Sequence, residues 1–136
     1  MSCSTCDDLG KLVLRLSLGI FLLLHGVAKL GADLTWLGNT LAAKGLPGFF
    51  AYGVYLGEVV APVLIILGLF TRVGAAIAII NMLFVIGLVH AADLFTLGQS
   101  GGHALELQGL FLFGSVAILL LGAGTYSVGG RNGRYN

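Results

Sequence analysis

Six ionisable side chains stand in or beside the long apolar runs of this sequence, and they carry the chemistry that it could perform. An ionisable group inside a bilayer is costly, so it usually faces the interior of a helix bundle, pairs with another such group and marks a site. Carboxylates and imidazoles in that setting can also take up and release protons. We therefore regard the following residues as candidate ligand-binding residues: Arg15, His25, Lys29, Glu58, His90 and Glu106.

Glu58 is the best candidate for a catalytic or proton-carrying group. It lies about a third of the way into an apolar run, and Pro62 follows one helical turn later. A proline cannot donate a hydrogen bond to the carbonyl four residues before it, so the helix is expected to kink beside Glu58. A carboxylate without a partner at that depth takes up a proton. We expect Glu58 to be paired or to carry a proton, with Lys29 or the histidines as partners and His25 nearest in depth, while a plain structural hydrogen bond stays open.

The elements that must position these groups are membrane helices. The chain of 136 residues is 57% hydrophobic and only 10% charged, with a mean hydropathy of +1.00. About 20 apolar residues cross a bilayer as a helix, and four runs of that length are present. The expected fold is an all-α membrane protein, a four-transmembrane-helix bundle forming one domain over residues 1–136. The predicted spans cover residues 12–30, 51–70, 73–92 and 104–123.

A stripe of charged and small residues marks the packing face of the first span. At 100° per residue the stripe is about 80° wide, and His25 lies at its edge. Glycines in this position let two membrane helices approach closely, so the charges on the same stripe are expected to point inward. Snorkelling to the membrane surface remains the alternative for the two charged members. The stripe consists of Arg15, Gly19, Leu22, Gly26 and Lys29.

Residues 31–50 interrupt the hydrophobicity between the first two spans and predict a short interfacial helix. Asp33 can cap this helix, and Trp36 suits the headgroup region. The helix is expected either to lie on the membrane surface or to cover the bundle. After the last span, residues 124–136 are polar and predict a soluble tail.

Asn81 stands in the middle of the third predicted span. An amide at that depth most often bonds to a neighbouring helix. His90 is nine residues further along, on the opposite face of a regular helix, so the two side chains are not expected to line one pocket.

The distribution of lysine and arginine predicts that both termini are cytoplasmic in a bacterial inner membrane. The side carrying the termini has four cationic residues, Lys11, Arg72, Arg131 and Arg134, and the other side has Lys29 and Lys44. This orientation places the candidate residues in the outer half of the bundle, except Arg15, which has no acidic residue at its depth.

Two further motifs are weak. Cys3 and Cys6 form a CxxC pair without a second pair or a nearby histidine, so two incidental, reduced and dispensable thiols are expected, with a redox or metal role as the alternative. Haem between His25 and His90, or a metal ion held by His90, His103 and Glu106, has no tight ligand spacing in its favour, and neither haem nor metal is expected. A net charge of +1 gives no reason to expect a nucleic-acid partner.

Several segments of the chain resemble the DoxX family of small bacterial membrane proteins. These are RLSLGIFLLLHGVAKL, GLPGFF, GEVVAPVLIILGLFTR and a glutamate that begins the last span. The resemblance covers nearly the whole chain, and most of the candidate residues stand within it. It implies an association with redox and sulfur metabolism, because one relative, DoxD, is a subunit of thiosulfate:quinone oxidoreductase. Most members have no defined reaction.

Two functional hypotheses follow. In the first, the outer cluster binds a quinone or a small sulfur species, and Glu58 or His25 moves the proton. In the second, the protein is a non-catalytic subunit or scaffold that assembles with an oxidoreductase or with itself, and the polar cluster holds the helices together. The residues leave open whether the protein is an enzyme.

Overall fold

The computed structural model of the protein describes the backbone of residues 3–136 and the side chains from Ser4 onward. In this part of the chain the regular structure is helical, without a β-strand. Between α2 and α3, a 3-10 helix (Gly48–Gly53) and a π-helical turn (Leu56–Val60) lead directly into α3. The α-helices are α1 (Cys3–Leu30), α2 (Thr35–Ala43), α3 (Ala61–Leu67), α4 (Thr71–Leu88) and α5 (Glu106–Leu121).

Three helical segments are long and apolar enough to cross a membrane, namely Ser4–Leu30, Gly48–Leu67 and Thr71–Leu88. The predicted all-α membrane class is therefore confirmed. The apolar helix α5 has only 16 residues, so the count of four spans stays a prediction, as does the interfacial position of α2. Helix α1 begins well before the predicted residue 12, and α4 ends at Leu88, which leaves His90 in the turn that follows.

The core lies where α1, α3, α4 and α5 meet. Leu22, Ile65 and Ile118 are almost completely buried there, and Ala75 and Ala78 let α4 approach its neighbours closely. Large apolar side chains also cover the outside of the bundle. An apolar exterior around an apolar core is expected of helices that are solvated by lipid.

The predicted packing stripe of α1 does face α3 and the turn before it. A side chain at Gly19 would clash with Ile66, and a Cβ at Gly26 would lie 2.0 Å from the carbonyl oxygen of Glu58. The absence of a side chain at Gly26 is therefore what allows α1 to reach the backbone of Glu58.

Residues 122–136 pack across the end of the bundle where α1 begins and α3 joins α4, which we call the terminal end. The sequence did not predict this docking, because the bundle offers polar partners that a hydropathy pattern does not reveal. Asp8 on α1 accepts hydrogen bonds from the backbone and hydroxyl of Thr125 and from Arg131, at 3.2, 2.7 and 3.0 Å. The side chain of Asn136 bonds to Thr71 and to the carbonyl of Gly68 at 3.0 Å.

The CxxC pair begins α1. Cys6 is an exposed free thiol, while the side chain of Cys3 lies outside the described residues. Whether the pair is dispensable stays a prediction.

Candidate ligand-binding site

The site begins at the π-helical turn. Pro62 is the second residue of α3 and has no N–H for the carbonyl of Glu58, and the backbone widens over Leu56–Val60, just before it. That carbonyl lies against Gly26 of α1, while the Glu58 side chain is buried in the bundle, with 3% of the residue exposed. The sequence predicted a kink beside Glu58 because of Pro62. The structure has a π-helical turn at this place.

Glu58 forms an ion pair with Lys29. The ammonium nitrogen lies 2.7 Å from one carboxylate oxygen and 2.6 Å from the other. The side chain of Glu58 is only 4% exposed and that of Lys29 is 32% exposed, so the pair has one buried member and one member that reaches open space. The sequence left Lys29 and the histidines open as partners and placed His25 nearest in depth, but the charged partner is Lys29.

Asn81 connects α4 to the same carboxylate. Its side-chain nitrogen donates a long hydrogen bond, 3.4 Å, to Glu58. The amide fits there because position 57 is a glycine, where a Cβ would lie 2.2 Å from Asn81. Its bond across to the second helical segment agrees with the structural role expected from the sequence. The buried carboxylate thus has hydrogen-bonding partners on two helices.

A cavity of about 220 Å³ lies beside this ion pair. We call it the polar cavity, because five of its lining residues can donate or accept hydrogen bonds through charged, imidazole or amide groups. The other walls are apolar or aromatic and include Leu22, Met82 and Phe111. The five polar residues are His25, Lys29, Glu58, His90 and Gln108.

The environment of His25 sets its tautomer. Its Nδ1 lies 2.9 Å from the carbonyl oxygen of Phe21, and a carbonyl can only accept a hydrogen bond. In the neutral ring the hydrogen is therefore on Nδ1, and Nε2 keeps its lone pair. The ring also packs edge-on against Phe111, with the ring centroids 5.4 Å apart. A neutral His25 can thus accept a proton or a hydrogen bond at Nε2.

Helix α2 covers the polar cavity. Leu37 and Leu41 are buried against Ala51, and Trp36 and Leu37 line the cavity. The contacts of α2 with the cavity wall favour the covering position, while its place relative to the membrane surface stays a prediction. The carboxylate of Asp33 accepts the backbone N–H of Thr35 at 2.9 Å, one residue before the N-cap position, which Leu34 occupies without a side-chain cap.

The comparisons with known proteins place these residues in a family. The DoxX family model matches residues 10–91, which is more than half of the chain. The chain belongs to the DoxX family. It is also similar to a Bacillus subtilis (strain 168) protein named "Putative oxidoreductase CatD", with 29% identity over 119 residues that make up 85% of this chain and 81% of the relative. No solved structure matches the chain.

The matched region of this DoxX protein contains Lys29, Glu58 and Asn81, so the whole ion-pair network lies inside the family domain. Helix α5 lies outside it and contributes Gln108 and Phe111 to the cavity wall.

Arg15 does not line the polar cavity. It is 1% exposed at the terminal end and donates hydrogen bonds to the carbonyls of Ile65 and Ile66, at 3.0 and 3.2 Å, and to that of Tyr126. Two of these carbonyls end α3, where the helix dipole is negative and favours a cation. Its Nε lacks a partner within the described residues. The sequence has no acidic residue at the depth of Arg15, and its partners are backbone carbonyl oxygens instead.

Glu106 also lies away from the polar cavity. It is exposed at the start of α5, where its carboxylate fills the space beside Gly102. His103 lies nearby in the preceding loop, with Nε2 2.8 Å from the carbonyl of Leu94.

His90 does line the cavity, and its Nδ1 lies 3.2 Å from a carboxylate oxygen of Asp93. Among the described side chains, from Ser4 onward, no three His, Cys, Asp or Glu residues are grouped to hold a metal ion.

Three residues of the site were not expected from the sequence. The hydroxyl of Tyr55 donates to the backbone carbonyl of Lys29 at 3.1 Å and fixes the end of α1 next to the ion pair. Gln108 could have been found, because it is an amide near the start of an apolar run. Trp36 could not, because an interfacial tryptophan and a cavity wall have the same sequence signal.

Proposed function

We propose that this DoxX protein is a redox-associated membrane protein whose polar cavity binds the head group of a quinone. The observation that supports this most strongly is the Lys29–Glu58 ion pair at the wall of an otherwise largely apolar cavity. Ligand sites of this kind combine apolar walls with a few polar groups that fix orientation. The relative that is named an oxidoreductase supports the redox association.

The walls suit a flat ring that carries two carbonyl oxygens. Leu22, Met82 and Phe111 offer apolar and aromatic surface for the ring. Lys29 has three N–H donors, and two of them account for its bonds to Glu58. Gln108 of α5 also lines the cavity and has two amide donors. The same cation would also attract a small anionic sulfur species, which is the alternative ligand.

Bound there, a quinone would supply the electron-accepting chemistry, taking up two electrons and two protons to become a hydroquinone. A separate oxidoreductase is the expected source of the electrons. In this proposal the chain relays the protons: Glu58 and His25 both line the cavity, and each can take up a proton and pass it to a ligand oxygen.

The single tryptophan of the chain, Trp36, lies in the cavity wall and provides a direct test. Quinones quench tryptophan fluorescence on contact. Tetramethylbenzoquinone is a suitable probe, because it has no free ring carbon to which the exposed thiol of Cys6 could add. We expect saturable quenching in lipid nanodiscs. Lys29→Met should weaken binding by about tenfold or more, since a charge-assisted hydrogen bond of about 1.5–3 kcal/mol is lost.

Lys44→Met is the matched control, because Lys44 is an exposed lysine that follows α2. It should bind the quinone as the wild type does. Quenching that rises linearly without saturation, and equally in all three proteins, would show collisions within the bilayer only and would refute the proposal.

The second candidate function is that of a non-catalytic scaffold. It is favoured by the way in which Glu58 joins Lys29 of α1 to Asn81 of α4, since such a link stabilises the bundle whether or not a ligand binds. Glu58→Gln and Glu58→Ala separate the two roles. If Glu58 moves a proton, the Gln variant should assemble normally and lose the pH dependence of quinone binding. If it is only structural, the Gln variant should behave as the wild type, and the Ala variant should be unstable.

The proposed location is the bacterial inner membrane, with four spans and both termini in the cytoplasm. The lysine and arginine asymmetry is the support for this orientation. Alkaline phosphatase fused after residue 136 should be inactive, and a fusion at Lys44 should be active. The opposite pattern would invert the orientation.

A further inference from the structure

We propose that a lipid-facing groove next to the polar cavity holds the apolar chain of the ligand, so that the ligand is an amphipathic quinone rather than a free head group. This inference rests on the proposed function and specifies its substrate class. The groove has a volume of about 310 Å³ and runs between α2, residues 50–57 and α4. We call it the apolar groove.

The apolar groove adjoins the polar cavity. Four residues line both spaces, namely Leu37, Val54, Val85 and Val89. These four aliphatic side chains are the shared wall between the two spaces. A hydrocarbon chain can pass between them without displacing a hydrogen bond. In this proposal the two spaces form one site with a polar part and an apolar part.

The size of the two spaces also favours a shared ligand. Pockets for small molecules usually measure about 300–1,000 Å³. The polar cavity, at about 220 Å³, falls below this range, and the apolar groove extends it well into the range. A head group would fill the first space, and a chain attached to it would need the second.

The groove opens toward the lipid, and only one of its lining residues has a side chain that can hydrogen-bond to water. Ile80 lines it with 66% of its surface exposed, within a segment long enough to cross the membrane. Among the groove residues Asn81 alone has a polar side chain, and that side chain bonds to Glu58. A chain lying in the groove would therefore exclude water from the side of Asn81 that faces away from the ion pair. This would strengthen the electrostatic interactions of Glu58.

The test compares two head groups that differ only in a chain. Tetramethylbenzoquinone is compared with trimethylbenzoquinone that carries a decyl chain, by quenching of Trp36 in nanodiscs. The measured quantity is the ratio of the two dissociation constants. Partition into the bilayer favours the decyl compound in every variant to the same extent, so only a change of the ratio between variants reports on the groove.

Ile80→Phe narrows the apolar groove, and Leu83→Phe is the control on the same helix, exposed to lipid and outside the groove lining. We expect Ile80→Phe to weaken binding of the decyl compound about tenfold. Binding of the compound without a chain should change less than twofold, and Leu83→Phe should leave both constants unchanged.

A second pair of variants guards against a misfolded Ile80→Phe protein. Gly53 lines the groove with open space beside it, and Gly87 on α4 has open space outside the groove. Gly53→Leu should reproduce the selective loss, and Gly87→Leu should not.

The outcomes separate this inference from the proposed function. If neither compound binds the wild type saturably, the proposed function fails and the inference fails with it. If both bind and the ratio is the same in all variants, the cavity binds the head group and the groove holds only bilayer lipid, which would overturn the inference alone.

Discussion

The two ends of the bundle surround a buried or half-buried cation with different partners. At the terminal end, Arg15 is enclosed by backbone carbonyls and lines none of the described cavities. At the other end, Lys29 meets Glu58 beside an open space of about 220 Å³. A cation surrounded by the backbone can only stabilise the fold, whereas a cation beside a cavity can also bind a ligand. Burial of a charge in a membrane protein thus becomes a functional signal when free volume accompanies it.

The largest expected effect on stability comes from Arg15→Met. The substitution removes the donors to three carbonyls, and each hydrogen bond to a charged group contributes about 1.5–3 kcal/mol. We expect the free energy of unfolding in detergent micelles to fall by roughly 3 kcal/mol or more. Lys11→Met is the control on the same helix, because the charge of Lys11 pairs with Asp7, whose side chain is 53% exposed, and such a pair is worth at most about 1 kcal/mol. Equal losses in the two variants would show that the carbonyl contacts of Arg15 contribute little.

Gly26→Ala is expected to act at the cavity end with an intermediate effect. Its Cβ would meet the carbonyl of Glu58 at 2.0 Å, so the π turn must move away from α1. Overpacking of this kind costs about 1–3 kcal/mol. Gly10→Ala provides the comparison, since a Cβ there meets open space on the same helix. That variant should be neutral or slightly more stable. A Gly26→Ala protein with unchanged thermal stability and quinone affinity would contradict the close contact.

The smallest effect concerns the helix that covers the cavity. Hydrogen bonds from the hydroxyl and the backbone of Thr35 hold the pKa of Asp33 below 3.8. Because the folded-state pKa is lowered, the stabilisation is present above that value and is lost as the pH falls through the folded-state pKa. The fluorescence of Trp36, in the first turn of α2, should report this loss as a transition below pH 3.8. Asp33→Asn keeps an acceptor and should remove the transition, so an unchanged transition in that variant would assign it to another group.

Much of the fold could be predicted from the sequence, because apolar runs and glycine spacing determine which segments form membrane helices and which face packs. The Lys29–Glu58 pair was within reach as well, since both residues are marked by charge in an apolar setting. The partners of Arg15 were not, because every residue has a carbonyl and none is distinguished in a sequence. The packing of the tail on Asp8 was hidden for a related reason: a polar tail has the same composition whether it is free or docked.

The cavity itself could not have been predicted. Its walls include Trp36 of α2 and Phe111 of α5, which are distant in sequence and are brought together by the fold. A periodic pattern indicates which side of each helix is apolar, but it does not indicate where two helices leave space between them. The position of Glu106 illustrates this, because its helical face is apolar and its carboxylate nevertheless lies outside the cavity.

The central claim is that the ligand binds at Lys29 and Glu58 and not at Arg15. It is tested most directly by the shift in melting temperature that tetramethylbenzoquinone causes in three proteins. A ligand at a hundred times its dissociation constant stabilises the folded state by about 2.7 kcal/mol. We predict that the quinone raises the melting temperature of the wild type and, from a lower starting value, of Arg15→Lys by similar amounts. It should not raise that of the double variant Lys29→Met, Glu58→Gln. A full shift in the double variant, or a shift lost only in Arg15→Lys, would contradict the account.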